Sequence, residues 1–202
     1  MNTVFYLVRH GEKNDVKDNG PLTILGKKQA KHTALYLSHY PIQQIVTSPK
    51  VRTKQTAEII GNILQVPITV ESLLEERAEW RHEEYDLEHF LAIWKKASSH
   101  RHWSPPVGQS SYQAGKRMEK AVHNLCRGLD KHVIIVSHGG TISDFLRNTI
   151  PSSDLTLFKR YFDDVSILEC SITIIEYKQE EEKFILRTVN FTDHLSKIDL
   201  SK

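Results

Sequence analysis

Val4 to Val8 and Val133 to Val136 are apolar at every position, too short for helices and continuous rather than alternating. Runs of that kind are strands buried on both faces, so helices must cover a mainly parallel sheet from each side. The rest of the chain supplies them. After the turn residues Asp18-Asn19-Gly20-Pro21, Thr23 caps a predicted helix with Ala30, Ala34 and Leu37 at helical spacing, ending near Tyr40-Pro41. A strand follows over Ile42 to Thr47. Ser48 as N-cap and Pro49 at the first helical position then open a helix with Ala57, Ile60 and Leu64 on one face. Ile68 to Val70 is a short third strand, Tyr112 to Leu129 is helical, and Gly139-Gly140 leads into a helix ending near Ile150-Pro151.

Strands alternating with helices predict an α/β fold, a doubly wound, mostly parallel sheet with helices on both faces. Ser166 to Tyr177 and Phe184 to Phe191, joined by the charged turn Gln179 to Lys183, add an antiparallel hairpin at one edge. The expectation is a single domain over residues 1–202 with an insertion at about 80–110. Trp80 to Trp103 holds all three tryptophans together with His82, His89, His100 and His102. Within it Leu87, Phe90, Leu91 and Trp94 form a predicted helical stripe, placing a short helical insertion over the active site as a wall of the pocket.

Composition narrows the function. With 27 basic and 25 acidic residues, the chain has no charge excess for binding nucleic acid or anionic membranes through bulk electrostatics. Cys126 and Cys170 have neither disulfide-framework nor metal-site spacing and read as inert thiols in a reducing compartment. No apolar run reaches the roughly 18 residues of a membrane span, and no basic leader precedes the first strand, so a soluble cytoplasmic protein is expected.

Ligands of open parallel sheets bind beyond the carboxyl ends of the strands. Three such ends carry Arg9-His10-Gly11-Glu12, Thr47-Ser48-Pro49 with Arg52, and Ser137-His138-Gly139-Gly140. Two arginine forks suit phosphoryl oxygens, the amides at Gly139 open a helix N-terminus that favours an anion, and an imidazole among them can attack phosphorus. The glycines form no dinucleotide or P-loop motif, since Gly26-Lys27-Lys28 lacks both the earlier glycine and the Ser/Thr. A metal centre from His10, His138 and Glu76 would be opposed by Arg9 and Arg52. No metal and no cofactor are therefore expected.

The chain resembles the histidine phosphatase superfamily in its phosphoglycerate-mutase-like branch. The likeness rests on Leu7-Val8-Arg9-His10-Gly11-Glu12, Leu22-Thr23 with Gly26 and Gln29-Ala30, Ser48-Pro49 with Arg52 and Gln55-Thr56-Ala57, Val136 to Gly140, and Asn190 with His194-Leu195. It implies His10 as the phosphorylated nucleophile and Arg9, Arg52 and His138 as the pocket holding the phosphoryl group. The family's acid follows a leucine and often precedes arginine, so Leu74-Glu75-Glu76-Arg77 offers two glutamates and the register favours Glu76. Glu79, Glu83 and His82 are the next candidates. Lys13 and Gln109-Ser110 depart from the family pattern, which bears on the substrate and leaves the mechanism intact.

The expected activity is metal-independent hydrolysis of phosphate monoesters through a phosphohistidine. The alternatives are a phosphoglycerate-mutase-type phosphotransferase and a non-catalytic phospho-ligand module. A small phosphate ester is the expected substrate, with a phosphoprotein as the other choice. The sequence assigns no oligomeric state.

Overall fold

The computed structural model describes residues 2–14, 19–81, 83–126, 131–156, 167–196 and 198. Asp18, His82, residues 127–129 and Ser166 lie outside these. In chain order the elements are β1 (Asn2–Arg9), α1 (Ile24–Leu37), β2 (Gln44–Thr47), α2 (Val51–Leu64), β3 (Ile68–Val70) and α3 (Leu87–Ser99). They continue with α4 (Ser111–Leu125), β4 (Lys131–Ser137), α5 (Gly139–Thr149), α6 (Ser152–Thr156), β5 (Ile172–Lys178) and β6 (Lys183–Phe191).

The sheet order is β3-β2-β4-β1-β5-β6. β1 to β4 run parallel, and the β5–β6 hairpin adds to β1 antiparallel and forms one edge. Side chains alternate across the buried strands. Phe5, Leu7, Val133 and Ile135 join Met118 of α4 and Phe145 of α5 in one core, while Tyr6, Val8, Ile134 and Val136 meet Ala34 of α1 and Ile60 of α2 in the other. This is the doubly wound arrangement that continuous apolar strands require. No described helix is long and apolar enough to cross a membrane.

The crossover from β1 to β2 skips the place that β4 fills, so three strand ends lie abreast, with Arg9 paired to Ser137 and Thr47 to Val136. Each ladder runs one residue further. His10 N–H donates to Ser137 O at 3.0 Å and Ser48 N–H to Val136 O at 3.1 Å. His10, Ser48 and His138 therefore leave the sheet side by side at its topological switch point.

Thr23 caps α1 as predicted, its hydroxyl oxygen accepting from Gly26 N–H at 3.0 Å. Ser48 does not cap α2. That helix starts at Val51 after Lys50, with no side-chain cap, because the Ser48 hydroxyl is engaged by His138. The stripe on α3 also differs. Phe90, Ile93 and Ala97 are its buried residues, Trp94 is half-buried, and Leu87 and Leu91 are exposed. The spacing is as predicted but begins at Phe90, since the helix is seated through its C-terminal half: Arg77 donates to Trp94 O at 3.2 Å and to Ser98 Oγ at 2.5 Å.

Candidate active site

His10 is buried where β1 ends. Its Nδ1 lies 2.8 Å from Gly11 O, which can only accept, so the proton is on Nδ1 and Nε2 carries the lone pair. Arg52 Nε–H donates to that Nε2 at 3.2 Å. The same guanidinium reaches the second histidine. Arg52 Nη2 donates to His138 Nδ1 at 3.1 Å, leaving His138 Nε2–H to donate to Ser48 Oγ at 2.9 Å. The two rings stand 5.4 Å apart at 66°.

Both imidazoles are held neutral. Burial is the larger cause and the Arg52 charge the second, and each takes the histidine well below its ordinary value. A neutral Nε2 is the form that can attack phosphorus.

Both pocket arginines carry a carboxylate. Glu79 Oε1 is 2.7 Å from Arg52 Nη2, and Glu169 pairs with Arg9 Nη2 while Arg9 Nη1 donates to Ile167 O at 2.6 Å. These carboxylates occupy guanidinium donors of both arginines. Lys50 adds charge beside them, its Nζ 3.3 Å from Glu75 and 3.8 Å from Glu79. Among the described residues no three His, Cys, Asp or Glu side chains are placed to hold a metal ion. Cys126 and Cys170 are buried, their thiols pushed up to about 12 by burial.

Glu76 sits on the N-terminus of α5. Its Oε1 accepts from Arg77 N–H at 2.8 Å and Thr141 N–H at 3.0 Å, and its Oε2 from Gly140 N–H at 3.1 Å. The helix end that suits an anion is thus shared with a protein carboxylate two residues beyond His138. A Cβ at Gly140 would lie 2.7 Å from Glu76 Oε1 and 2.6 Å from the Trp94 ring, so glycine is what lets both approach. Trp94 brings α3 to this edge. Glu75 points to Lys50, and Glu83 is exposed.

The profile of the histidine phosphatase superfamily (branch 1) matches residues 5–191. The chain belongs to that superfamily. It is 28% identical over 209 residues to a Bacillus subtilis protein named as an uncharacterized phosphatase, PhoE, covering 96% of this chain and 97% of that one. It is 26% identical over 214 residues to a probable phosphoglycerate mutase, GpmB, of Proteus mirabilis, covering 98% and 97%. Among solved structures, a mycobacterial glucosyl-3-phosphoglycerate phosphatase with inorganic phosphate superposes with a TM-score of 0.75 at 21% identity, over 96% of this chain and 99% of that one.

Other residues of the motifs hold the loop that follows His10. Gly11 N–H donates to Thr56 Oγ1 at 3.1 Å, Glu12 N–H to Gln29 Oε1 at 2.8 Å and Leu22 N–H to Gln55 Oε1 at 2.8 Å. The loop after His10 is thereby tied to both helices of one face. Sequence reasoning left three partners of the site unassigned: Ser48 as acceptor for His138, Lys50 between two glutamates, and Arg77. Arg77 is buried against Asp144 of α5 at 3.1 Å and stacks 3.7 Å over the Trp94 ring. Ser48 and Arg77 lie within motifs read from the sequence, but no local pattern shows which groups the three meet, since each partner is distant in sequence.

Proposed function

We propose that this histidine phosphatase hydrolyses phosphate monoesters through a phosphohistidine at His10 without a metal ion. The observation that carries the reading is the His10 Nε2 lone pair, fixed by the Gly11 carbonyl and aimed into a pocket that Arg52 lines. His10 Nε2 forms a bond to phosphorus as the ester P–O bond breaks. The electron pair leaves on the alcohol oxygen, which takes a proton from the Glu76 carboxyl. Water then attacks phosphorus, the N–P bond returns its pair to His10, and the proton of that water restores Glu76. Arg9 and Arg52 balance the charge on the transferring oxygens, with the Gly139 amide at the helix end and His138 beside them.

The substrate we propose is a small phosphate ester. A phosphoprotein is the other choice, and a phosphoglycerate-mutase-type transfer has support in the name of the Proteus relative. The test is rapid quenching after exposure to a labelled ester in excess chelator, with inorganic phosphate counted in parallel. Expected is one acid-labile, alkali-stable phosphoryl group per chain that His10→Ala does not form, together with phosphate release. Isomerised phosphoglycerate without release would favour the mutase, and binding without turnover would point to the non-catalytic module.

A further inference from the structure

Glu79 stands one residue removed from the two histidines, on the far side of Arg52. Its Oε1 touches the same Arg52 nitrogen that donates to His138, and Arg52 Nε in turn donates to His10, so one guanidinium separates this carboxylate from the nucleophile. Its side chain keeps 25% of its surface accessible, enough for a bound molecule to meet it. Burial, the leading cause, nonetheless raises its carboxyl above the ordinary value, a sign of thin hydration in which neighbouring charges are strongly felt.

The remaining charges decide what Glu79 does when the pocket fills. A phosphoryl dianion draws on Arg9 and Arg52, and Glu79 then loses its nearest cation. Lys50 cannot replace it fully, being closer to Glu75 at 3.3 Å than to Glu79 at 3.8 Å. Glu169 on the Arg9 side opposes Lys13 on the loop after His10. On the other side the Glu76 carboxylate, which adds to the negative charge felt at Glu79, is opposed by Arg117, whose guanidinium donates to the Glu75 and Glu76 carbonyls. The corner of Glu75, Glu79 and Lys50 is left with an excess negative charge.

We infer that Glu79 sets the charge preference of the leaving group, admitting esters of neutral or amine-bearing alcohols and rejecting esters of acidic alcohols such as glycolate or glycerate. An ammonium one or two carbons from the ester oxygen can pair with the released Glu79, whereas a carboxylate there meets a like charge in a partly desolvated site. The inference rests on the hydrolase reading and adds a substrate class to it.

The experiment compares kcat/KM for phosphoethanolamine and phosphoglycolate, which differ chiefly in the charge at the far end, with p-nitrophenyl phosphate as reference, in wild type and Glu79→Gln. Wild type should prefer phosphoethanolamine, and Glu79→Gln should move the ratio toward phosphoglycolate by about tenfold or more. Glu75→Gln, further from Arg52, should move it less. A wild-type preference for phosphoglycolate overturns the inference without any variant, as does an equal change for all three esters in Glu79→Gln. Release of phosphate with an unmoved ratio sinks the inference alone; no release from any ester sinks the hydrolase reading with it.

Discussion

Arg52 Nε–H donates directly to the Nε2 lone pair of His10, across 3.2 Å. The contact suits the tautomer set by the Gly11 carbonyl and adds to the burial that holds the imidazole neutral, but it also covers the lone pair. On the phosphohistidine reading proposed above, an incoming phosphoryl group draws the guanidinium onto its own oxygens before nitrogen reaches phosphorus, so Arg52 would act first on the imidazole and then on the anion.

Arg52→Ala should weaken binding of inorganic phosphate or vanadate by about 1.5–3 kcal/mol for each charge-assisted hydrogen bond lost. Titration calorimetry on the purified variant measures this. Unchanged affinity would place Arg52 outside the anion site.

Ser48→Ala should lower both stability and turnover. His138 is fully buried and its Nδ1 already accepts from Arg52, so its Nε2–H has no other role than to donate to Ser48 Oγ at 2.9 Å. Leaving that N–H without an acceptor costs about 1–3 kcal/mol. Loss of a helix cap would also reduce stability, but only release of His138 would slow phosphate turnover; a variant that melts earlier and turns over normally would contradict the assignment.

The Ser48 case shows where the sequence is informative. β1, β4 and the motifs at their ends are local patterns: an apolar run stopped by Arg9-His10-Gly11 or by His138-Gly139-Gly140 can be read within a dozen residues. Ser48-Pro49 reads equally well as a helix cap, and what diverts the hydroxyl is a histidine ninety residues away in sequence, brought alongside by the β4 insertion. The Arg77–Asp144 and Arg52–Glu79 pairs are hidden for the same reason. On α3 two overlapping stripes of identical spacing are available, and the anchoring of its C-terminal half by Arg77 and Arg147 selects the one starting at Phe90.

Stability should fall as pH drops below about 6.5, the value at which unfolded histidines begin to take up protons. His10 and His138 are held well below that value, and burial lowers His194 to about 4, so the folded chain does not match this uptake. Their contribution is complete above the unfolded value and is lost as pH falls toward the folded ones, at about 1.4 kcal/mol per pH unit for each fully differing proton. Glu79 and Asp144, raised by burial, act in the opposite sense. His138→Gln, whose amide can still donate to Ser48 and accept from Arg52, should flatten the fall in melting temperature between pH 7 and 5. An unchanged slope would mean that His138 is protonated in the folded chain.

Asp144→Asn should loosen the insertion. Arg77 and Asp144 are buried together, and breaking such a pair from one side costs about 3–5 kcal/mol. Because Arg77 also holds Trp94 and Ser98, tryptophan fluorescence should shift to the red, and the Trp80 to Trp103 segment should become sensitive to protease before the sheet melts. Equal protease resistance would show that the Arg77–Asp144 pair does not hold α3, leaving its apolar face and the Arg147 bond to Ser98 O.

The remaining choice is between adjacent glutamates. Glu76 lies on the α5 N-terminus beside His138, its carboxylate aligned by the amides of Arg77, Gly140 and Thr141, whereas Glu75 turns to Lys50. Proton delivery matters most when the departing alkoxide is basic, where general acid catalysis is worth about 10²- to 10⁴-fold. A p-nitrophenolate leaves with little help. Glu76→Gln keeps an amide oxygen for two of the three N–H donors and removes the proton, so it should slow alkyl phosphates far more than p-nitrophenyl phosphate. Glu75→Gln should leave the ratio between these substrates unchanged. The pair of ratios decides the assignment: a selective loss in Glu75→Gln alone moves the acid by one residue, and a selective loss in neither variant transfers the role to another group on the pocket rim, with the Glu79→Gln rates on the same two substrates as the next comparison.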